Sequence, residues 1–99
     1  MPYSGPTVET KFVDLGSSFR LADGQELEGV RIAYETYGTL DDNASNAVLL
    51  FHALSGSQHA YGWNADVPGT NGLWKEENHL GWWNKLIGPG KPIDTASIL

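Results

Sequence analysis

The stretch Ala47-Val48-Leu49-Leu50-Phe51 constrains this chain more than any other, because it is an unbroken apolar run entered from a polar turn and left through His52-Ala53-Leu54-Ser55-Gly56. A strand with one wet face alternates apolar and polar positions, since successive side chains point to opposite sides. An uninterrupted run is what a strand covered on both faces requires, as in the middle of a parallel sheet with helices above and below. The rest of the sequence offers almost no helix to do the covering. The expectation is a central strand whose surroundings these residues only partly supply.

The flanking segments read as short β elements. Val8 to Leu15 is β-like, Gly16-Ser17-Ser18 interrupts it, and Phe19-Arg20-Leu21 resumes before Ala22-Asp23-Gly24-Gln25, where Asp-Gly marks a turn. Two tightly joined strands are expected there. From Glu28 to Tyr37 the alternation is regular, with Val30, Ile32, Tyr34 and Thr36 on one face and Arg31, Ala33, Glu35 and Tyr37 on the other, the pattern of a half-buried strand.

Residues 57–80 follow neither period, and structureless loops beyond about 12–15 residues are uncommon in compact domains unless functional or covered. Trp82 and Leu86, with Trp83 and Ile87 beside them, predict a short helix over Gly81–Ile87 that Gly88-Pro89-Gly90 ends. Ala96-Ser97-Ile98-Leu99 reads as the opening of another strand. No repeat, low-complexity segment or linker divides the chain. Residues 1–99 are therefore expected to be the N-terminal portion of one larger α/β domain, without an internal boundary.

Composition narrows the function classes. The formal charge is −6 and the isoelectric point about 4.7, a balance that repels phosphate backbones and anionic lipid. Nucleic acid and membrane surfaces are not expected as partners; small molecules or proteins are. The absence of cysteine removes disulfides and thiolate metal sites and suits a reducing compartment. Met1-Pro2-Tyr3-Ser4-Gly5-Pro6 lacks the basic and apolar regions of a signal peptide. No run approaches the roughly 18 apolar residues of a spanning helix. A soluble, cytoplasmic protein is expected.

In open α/β sheets, ligands sit beyond the carboxyl ends of the strands, where His52–Gly56 would lie. A sharp turn there can aim backbone N–H groups at a developing oxyanion, each such donor contributing about 2.7–4 kcal/mol. In α/β-hydrolases one donor comes from this kind of corner and the other from the residue after the nucleophile. The Leu54 N–H is the candidate, set against a plainer reading in which His52 is a hydrogen-bonded structural residue. Ser55 is not an elbow nucleophile, because Ala53 and Ser57 stand where G-x-S-x-G needs glycine.

His52, His59 and His79 match no local metal motif, so no metal site is expected. Glu76-Glu77 in a polar loop is ordinarily solvated. No dinucleotide or P-loop motif occurs. Trp63, Trp74, Trp82 and Trp83, with Tyr61 and several Asn, admit a small β-rich carbohydrate-binding module. The simpler reading has them as packing residues, with Trp82 and Trp83 anchoring the long loop.

Three blocks in order carry a resemblance: V30-R31-I32-A33-Y34-E35-T36-Y37-G38-T39-L40, then N46-A47-V48-L49-L50-F51-H52-A53-L54-S55-G56, then G81-W82-W83 with I87-G88-P89-G90-K91-P92-I93-D94-T95. Over residues 12–95 the sequence resembles the N-terminal part of the homoserine O-acetyltransferases, acyltransferases of the α/β-hydrolase fold in methionine biosynthesis. The resemblance implies ping-pong transfer of an acetyl group from acetyl-CoA to L-homoserine through an elbow serine activated by a His–Asp pair. It implies no bound cofactor and a homodimeric parent. It makes Leu54 an oxyanion donor through its N–H and places Ala53, Ser55 and Gly56 against substrate. The family usually has Thr where Ser55 stands, and the loop from Ser57 to Leu80 is longer than in many members. Relatives that use succinyl-CoA or accept serine share the corner, and an unrelated α/β-hydrolase such as an esterase could carry it too. The nucleophile, catalytic Asp and His would lie beyond Leu99. The chain by itself is expected to be inactive and, with its central strand uncovered, prone to aggregate or to partial disorder.

Overall fold

The structure, a computed structural model, describes residues 5–97. Strand β1 (Lys11–Asp14) pairs antiparallel with β4 (Arg31–Tyr34), Lys11 opposite Tyr34 and Asp14 opposite Arg31. Between them, β2 (Ser18–Arg20) and β3 (Glu26–Glu28) form a second two-stranded sheet. The Asp-Gly turn works as the sequence implies. Asp23 accepts the Gln25 N–H at 3.0 Å, Leu21 N–H donates to the Gln25 carbonyl at 2.7 Å, and Gly24 takes a φ of 92° that a side chain would oppose. The single strand expected over Glu28–Tyr37 is divided at Gly29, whose φ is 67°, so β3 and β4 join different sheets.

Alternation along β4 is present, but the better covered face is the one bearing Ala33, with Glu35 and Tyr37 continuing it. Ile32 and Tyr34 on the apolar-looking face are exposed. Arg31 lays its guanidinium 4.1 Å from the centre of the Phe12 ring, which sits opposite Ala33, so part of the Ala33 face is covered by a cation over an aromatic surface.

Three elements expected from the sequence are absent among the described residues. Ala47–Phe51 forms no strand pairing among the described residues and is exposed throughout. Strand pairing is non-local, and no neighbouring strand within these residues reaches the run. Gly81–Ile87 is a series of turns rather than a helix. The Trp82 and Trp83 N–H groups donate to the His59 and Ala60 carbonyls, and a helix this short is marginal without strong packing. Thr95–Ser97 is a turn closed by Ser97 N–H to the Asp94 carbonyl; Ile98 and Leu99, the rest of the expected strand, lie outside the described residues.

The region read as loop holds the core. Its only helical piece among the described residues is a 3₁₀ turn, Glu76–Asn78. Trp63 bridges Thr7 on one side and Leu80 on the other, and Ile87 bridges Ile93. Gly81 N–H donates to the Gly62 carbonyl at 2.9 Å and Trp83 N–H to the Ala60 carbonyl at 2.8 Å, so the two ends of this long segment are fastened together. The approach needs glycine, because a Cβ at Gly81 would run into Tyr61 N and the Ala60 carbonyl group. Around this crossing the buried side chains are Ala60, Val67 and Ile87, matched by Thr10, His59 and Asn64. Half of this core is polar, so hydrogen bonds rather than oil-like packing must specify it.

Candidate functional site

The corner after Ala47–Phe51 is a tight turn. Gly56 N–H donates to the Ala53 carbonyl at 2.9 Å. A Cβ on Gly56 would lie 3.0 Å from His52 Cβ and 3.3 Å from the Ala53 oxygen, so glycine lets the turn close. His52 Nδ1 donates to the same carbonyl at 2.6 Å, which puts the ring proton on Nδ1. That is the structural role the plainer reading gave His52. The Leu54 N–H has no acceptor among the described residues, and the Leu54 side chain projects entirely into solvent.

Facing the turn is an aromatic wall. Trp82 and Trp83 stand edge to face with centroids 5.1 Å apart, and Trp82 Nε1 donates to the Ser57 carbonyl at 2.9 Å. Between wall and turn lies an open cavity of about 470 Å³, lined by His52, Ala53, Ser55 and Gly56 on one side and both tryptophans on the other. Three of the four sequence-nominated residues therefore line one cavity, with Leu54 at the tip between them. Trp63 and Trp74 are elsewhere and already engaged. Trp63 packs edge-on to His79 at 5.2 Å, and Trp74 donates its Nε1–H to the Asn64 carbonyl at 2.7 Å. They form no flat platform for a sugar.

Directly behind the corner is a buried polar cluster that the sequence reading did not assemble. The β1–β4 register continues one step to set Thr10 opposite Glu35, and Thr10 Oγ1 donates to Glu35 Oε2 at 2.7 Å. Tyr37 Oη donates to Glu35 Oε1 at 2.7 Å and accepts the Ala60 N–H at 2.9 Å. His59 Nδ1 meets Glu35 Oε1 at 2.8 Å, and both side chains are fully buried. Asn64 Nδ2 reaches Thr10 Oγ1 at 2.9 Å and Glu35 Oε2 at 3.3 Å, while Gln58 Nε2 donates to Thr10 Oγ1 at 3.0 Å. Among the described residues no buried side-chain polar atom is left without a partner.

These contacts set the charges. Burial alone would raise the Glu35 carboxyl, but hydrogen bonds from His59, Thr10 and Tyr37, with the charge of His59, hold it below its ordinary range. Burial would likewise lower His59; the bonds to Glu35 and to the His79 carbonyl outweigh it and raise the imidazole above its ordinary value. Burial and the neighbouring Glu35 carboxylate push the Tyr37 phenol far up, so it stays a donor. The signal available beforehand was a carboxylate at position 35 on the Ala33 side of a half-buried strand, a place where a charge persists only with partners. For His59 the sequence offers no comparable signal, because its spacing from His52 and His79 matches no motif.

No protein-family profile matches the chain. Among solved structures, esterase E22 superposes with a TM-score of 0.74 at 34% identity over 93% of this chain and 22% of its own. The homoserine O-acetyltransferase of Bacillus anthracis gives a TM-score of 0.72 at 34% identity, over 95% of this chain and 22% of its own. The strands and the corner thus have their likeness among enzymes of the esterase and acyltransferase kind. In sequence the chain is 44% identical over 88 residues to the homoserine O-acetyltransferase of Methanosalsum zhilinae, covering 89% of this chain and 16% of that protein. It is 42% identical over 94 residues to the homoserine O-succinyltransferase of Bordetella petrii, covering 95% of this chain and 20% of that protein. Along nearly its whole length the chain is similar in sequence to these homoserine O-acyltransferases, and it spans only 16–20% of the length of these two.

Proposed function

We propose that this chain is the N-terminal portion of a single α/β-hydrolase-type domain, and that the parent enzyme moves an acetyl group from acetyl-CoA to the hydroxyl of L-homoserine. The observation that carries the reading is the exposed His52–Gly56 turn, whose Leu54 N–H is unpaired within the described residues and stands between Ala53 and Ser55, which line the tryptophan-walled cavity. An elbow serine supplied outside these residues attacks the thioester carbonyl, and the Leu54 N–H stabilises the negative oxygen of the tetrahedral intermediate. CoA departs as the thiol, and the homoserine hydroxyl then attacks the acyl-serine, passing its proton to the base. Ala53, Ser55 and Gly56 line the acyl or acceptor pocket. No bound cofactor is required. The exposed Ala47–Phe51 run fits a strand that further polypeptide covers on both faces. The setting is the cytoplasm and the assembly a homodimer; among the described residues no helix is long and apolar enough to cross a membrane.

Two second readings have specific support. The Bordetella petrii relative favours a succinyl donor, and the E22 likeness favours ester hydrolysis. The test extends the reading frame past Leu99, expresses the product, and follows thiol release from acetyl-CoA and succinyl-CoA with and without L-homoserine or L-serine. Homoserine-dependent release from acetyl-CoA supports the proposal. Preference for succinyl-CoA or for serine reassigns donor or acceptor, acceptor-independent cleavage of simple esters supports the esterase, and a frame without an elbow serine refutes all three. Residues 1–99 contain no G-x-S-x-G. Because nucleophile, base and orienter act as a unit, this segment alone should release no thiol.

A further inference from the structure

The pair Glu35–His59 takes no part in the acyl transfer set out above, yet its hydrogen bonds specify a charge state. His59 Nδ1 faces Glu35 Oε1 at 2.8 Å, and Nε2 faces the His79 carbonyl oxygen at 2.6 Å. A carbonyl and a carboxylate only accept, so each needs an N–H from the ring, and only imidazolium carries both. Glu35 in turn receives donors from Thr10, Tyr37 and Asn64 besides His59. The other groups packed against the pair bring no carboxylate, ammonium or guanidinium. They are Thr10 before β1, the Tyr37 hydroxyl after β4, Asn64, the Trp74 ring edge-on at 5.7 Å, and His79, which presents its carbonyl while its own ring lies against Trp63.

The position of the pair matters as much as its charge. The backbone leaving the corner is gripped at Ser57 by Trp82 Nε1, at the His59 carbonyl by Trp82 N–H, and at Ala60 N–H by the Tyr37 hydroxyl that also donates to Glu35.

We propose that Glu35 and His59 form a charged latch that fixes the backbone leaving the His52–Gly56 corner, making His59 a positioning residue for the Leu54 donor. The positioning half rests on the acyl-transfer reading; the charge state does not.

The test uses the full-length enzyme with ¹⁵N-labelled histidine. The His59 ring should show two protonated nitrogens at neutral pH and keep them to a higher pH than an ordinary histidine does. Two variants then separate the bonds. In His59→Asn the amide nitrogen takes the place of Nδ1 and keeps Glu35 paired; in His59→Gln it takes the place of Nε2 and keeps only the His79 carbonyl. With folding verified by circular dichroism, kcat should fall about 10-fold in His59→Gln and less in His59→Asn, with KM for the acyl-CoA within about two-fold in both. Glu35→Gln should neutralise the ring at neutral pH. A neutral His59 ring in the wild type overturns the latch, and wild-type kcat in both folded His59 variants overturns the positioning role. Should those variants fail to fold, a Glu35→Gln enzyme that holds a neutral ring yet keeps wild-type kcat overturns it equally. A wild type that transfers no acyl group would refute the reading of function instead, and the ring titration would still decide the latch.

Discussion

Two neighbouring segments invert the usual relation between hydrophobicity and burial. Ala47–Leu54 is the most apolar stretch of the chain, yet Leu49 is 80% and Phe51 81% exposed. Gln58–Asn64 carries a glutamine, a histidine and an asparagine, yet His59 is 1% and Asn64 6% exposed. The difference lies in where each finds its partners. The polar segment is satisfied within the described residues, by Thr10, Glu35, Tyr37 and the His79 carbonyl. The apolar one has no partner among the described residues, and an exposed run of this size marks an interaction surface. Burial here follows satisfied hydrogen bonds, and the apolar surface is left for something else.

The contrast is open to attack, beginning where the effect is largest. Glu35→Ala should destabilise the protein by about 3–5 kcal/mol, because it removes one partner of a buried pair and leaves the donors of Thr10, Tyr37, His59 and Asn64 without their acceptor, and a urea melt reads the loss. Phe51→Lys should act oppositely in two settings. In residues 1–99 alone it should leave stability unchanged and raise solubility; in the longer enzyme proposed above, whose further polypeptide would cover the run, it should cost about 3 kcal/mol or more. Equal destabilisation in both would dissolve the contrast.

The pH dependence of stability is a third handle. His59 is raised from 6.5, so its contribution is complete below that value and is lost as pH climbs through the folded-state value. Glu35 is lowered from 4.5, so its contribution is complete above that value and is lost as pH falls through the folded-state value. Melts across pH should therefore show the pair's greatest contribution between 4.5 and 6.5, and Glu35→Ala should flatten the profile there. Smaller effects complete the set. Trp82→Phe removes the bond to the Ser57 carbonyl and should cost about 1 kcal/mol in chemical denaturation. Ala44→Gly relieves a left-handed residue with φ of 55° in the polar turn before the apolar run. It should raise stability by about 0.5–1 kcal/mol, a differential-scanning shift that leaves the His59 ring titration unmoved.

Local features were legible in the sequence. The Asp23-Gly24 hairpin, the alternation through Ile32 and Ala33, and the sharp turn at Gly56 each depend on residues within a few positions of one another. The three motif blocks likewise point to the homoserine O-acyltransferases that the chain is similar to. What failed depends on distant partners. Ala47–Phe51 reads as a strand, but a strand exists only beside another. Gly81–Ile87 has helical spacing, but its N–H groups are taken by His59 and Ala60, some twenty positions upstream. The Glu35 cluster gathers residues from positions 10 to 64, and no periodicity announces that. At the corner, the sequence nominated the residues around the cavity and missed the charged pair behind it.

The fastening of Gly62 to Gly81 and of Ala60 to Trp83 has a consequence for how such a protein can vary. With the two ends pinned together and Asn64, Val67 and the His79 carbonyl packed beside them, only the far tip of the segment stands clear of the fold, so its length is decoupled from the geometry at the neck. The Pro68–Leu73 tip, with Gly69, Asn71 and Gly72 all at positive φ and Leu73 in solvent, could gain or shed residues while the neck stays shut. This is where lineages can diverge in loop length without disturbing the corner, and where a reporter could be spliced in with least disturbance.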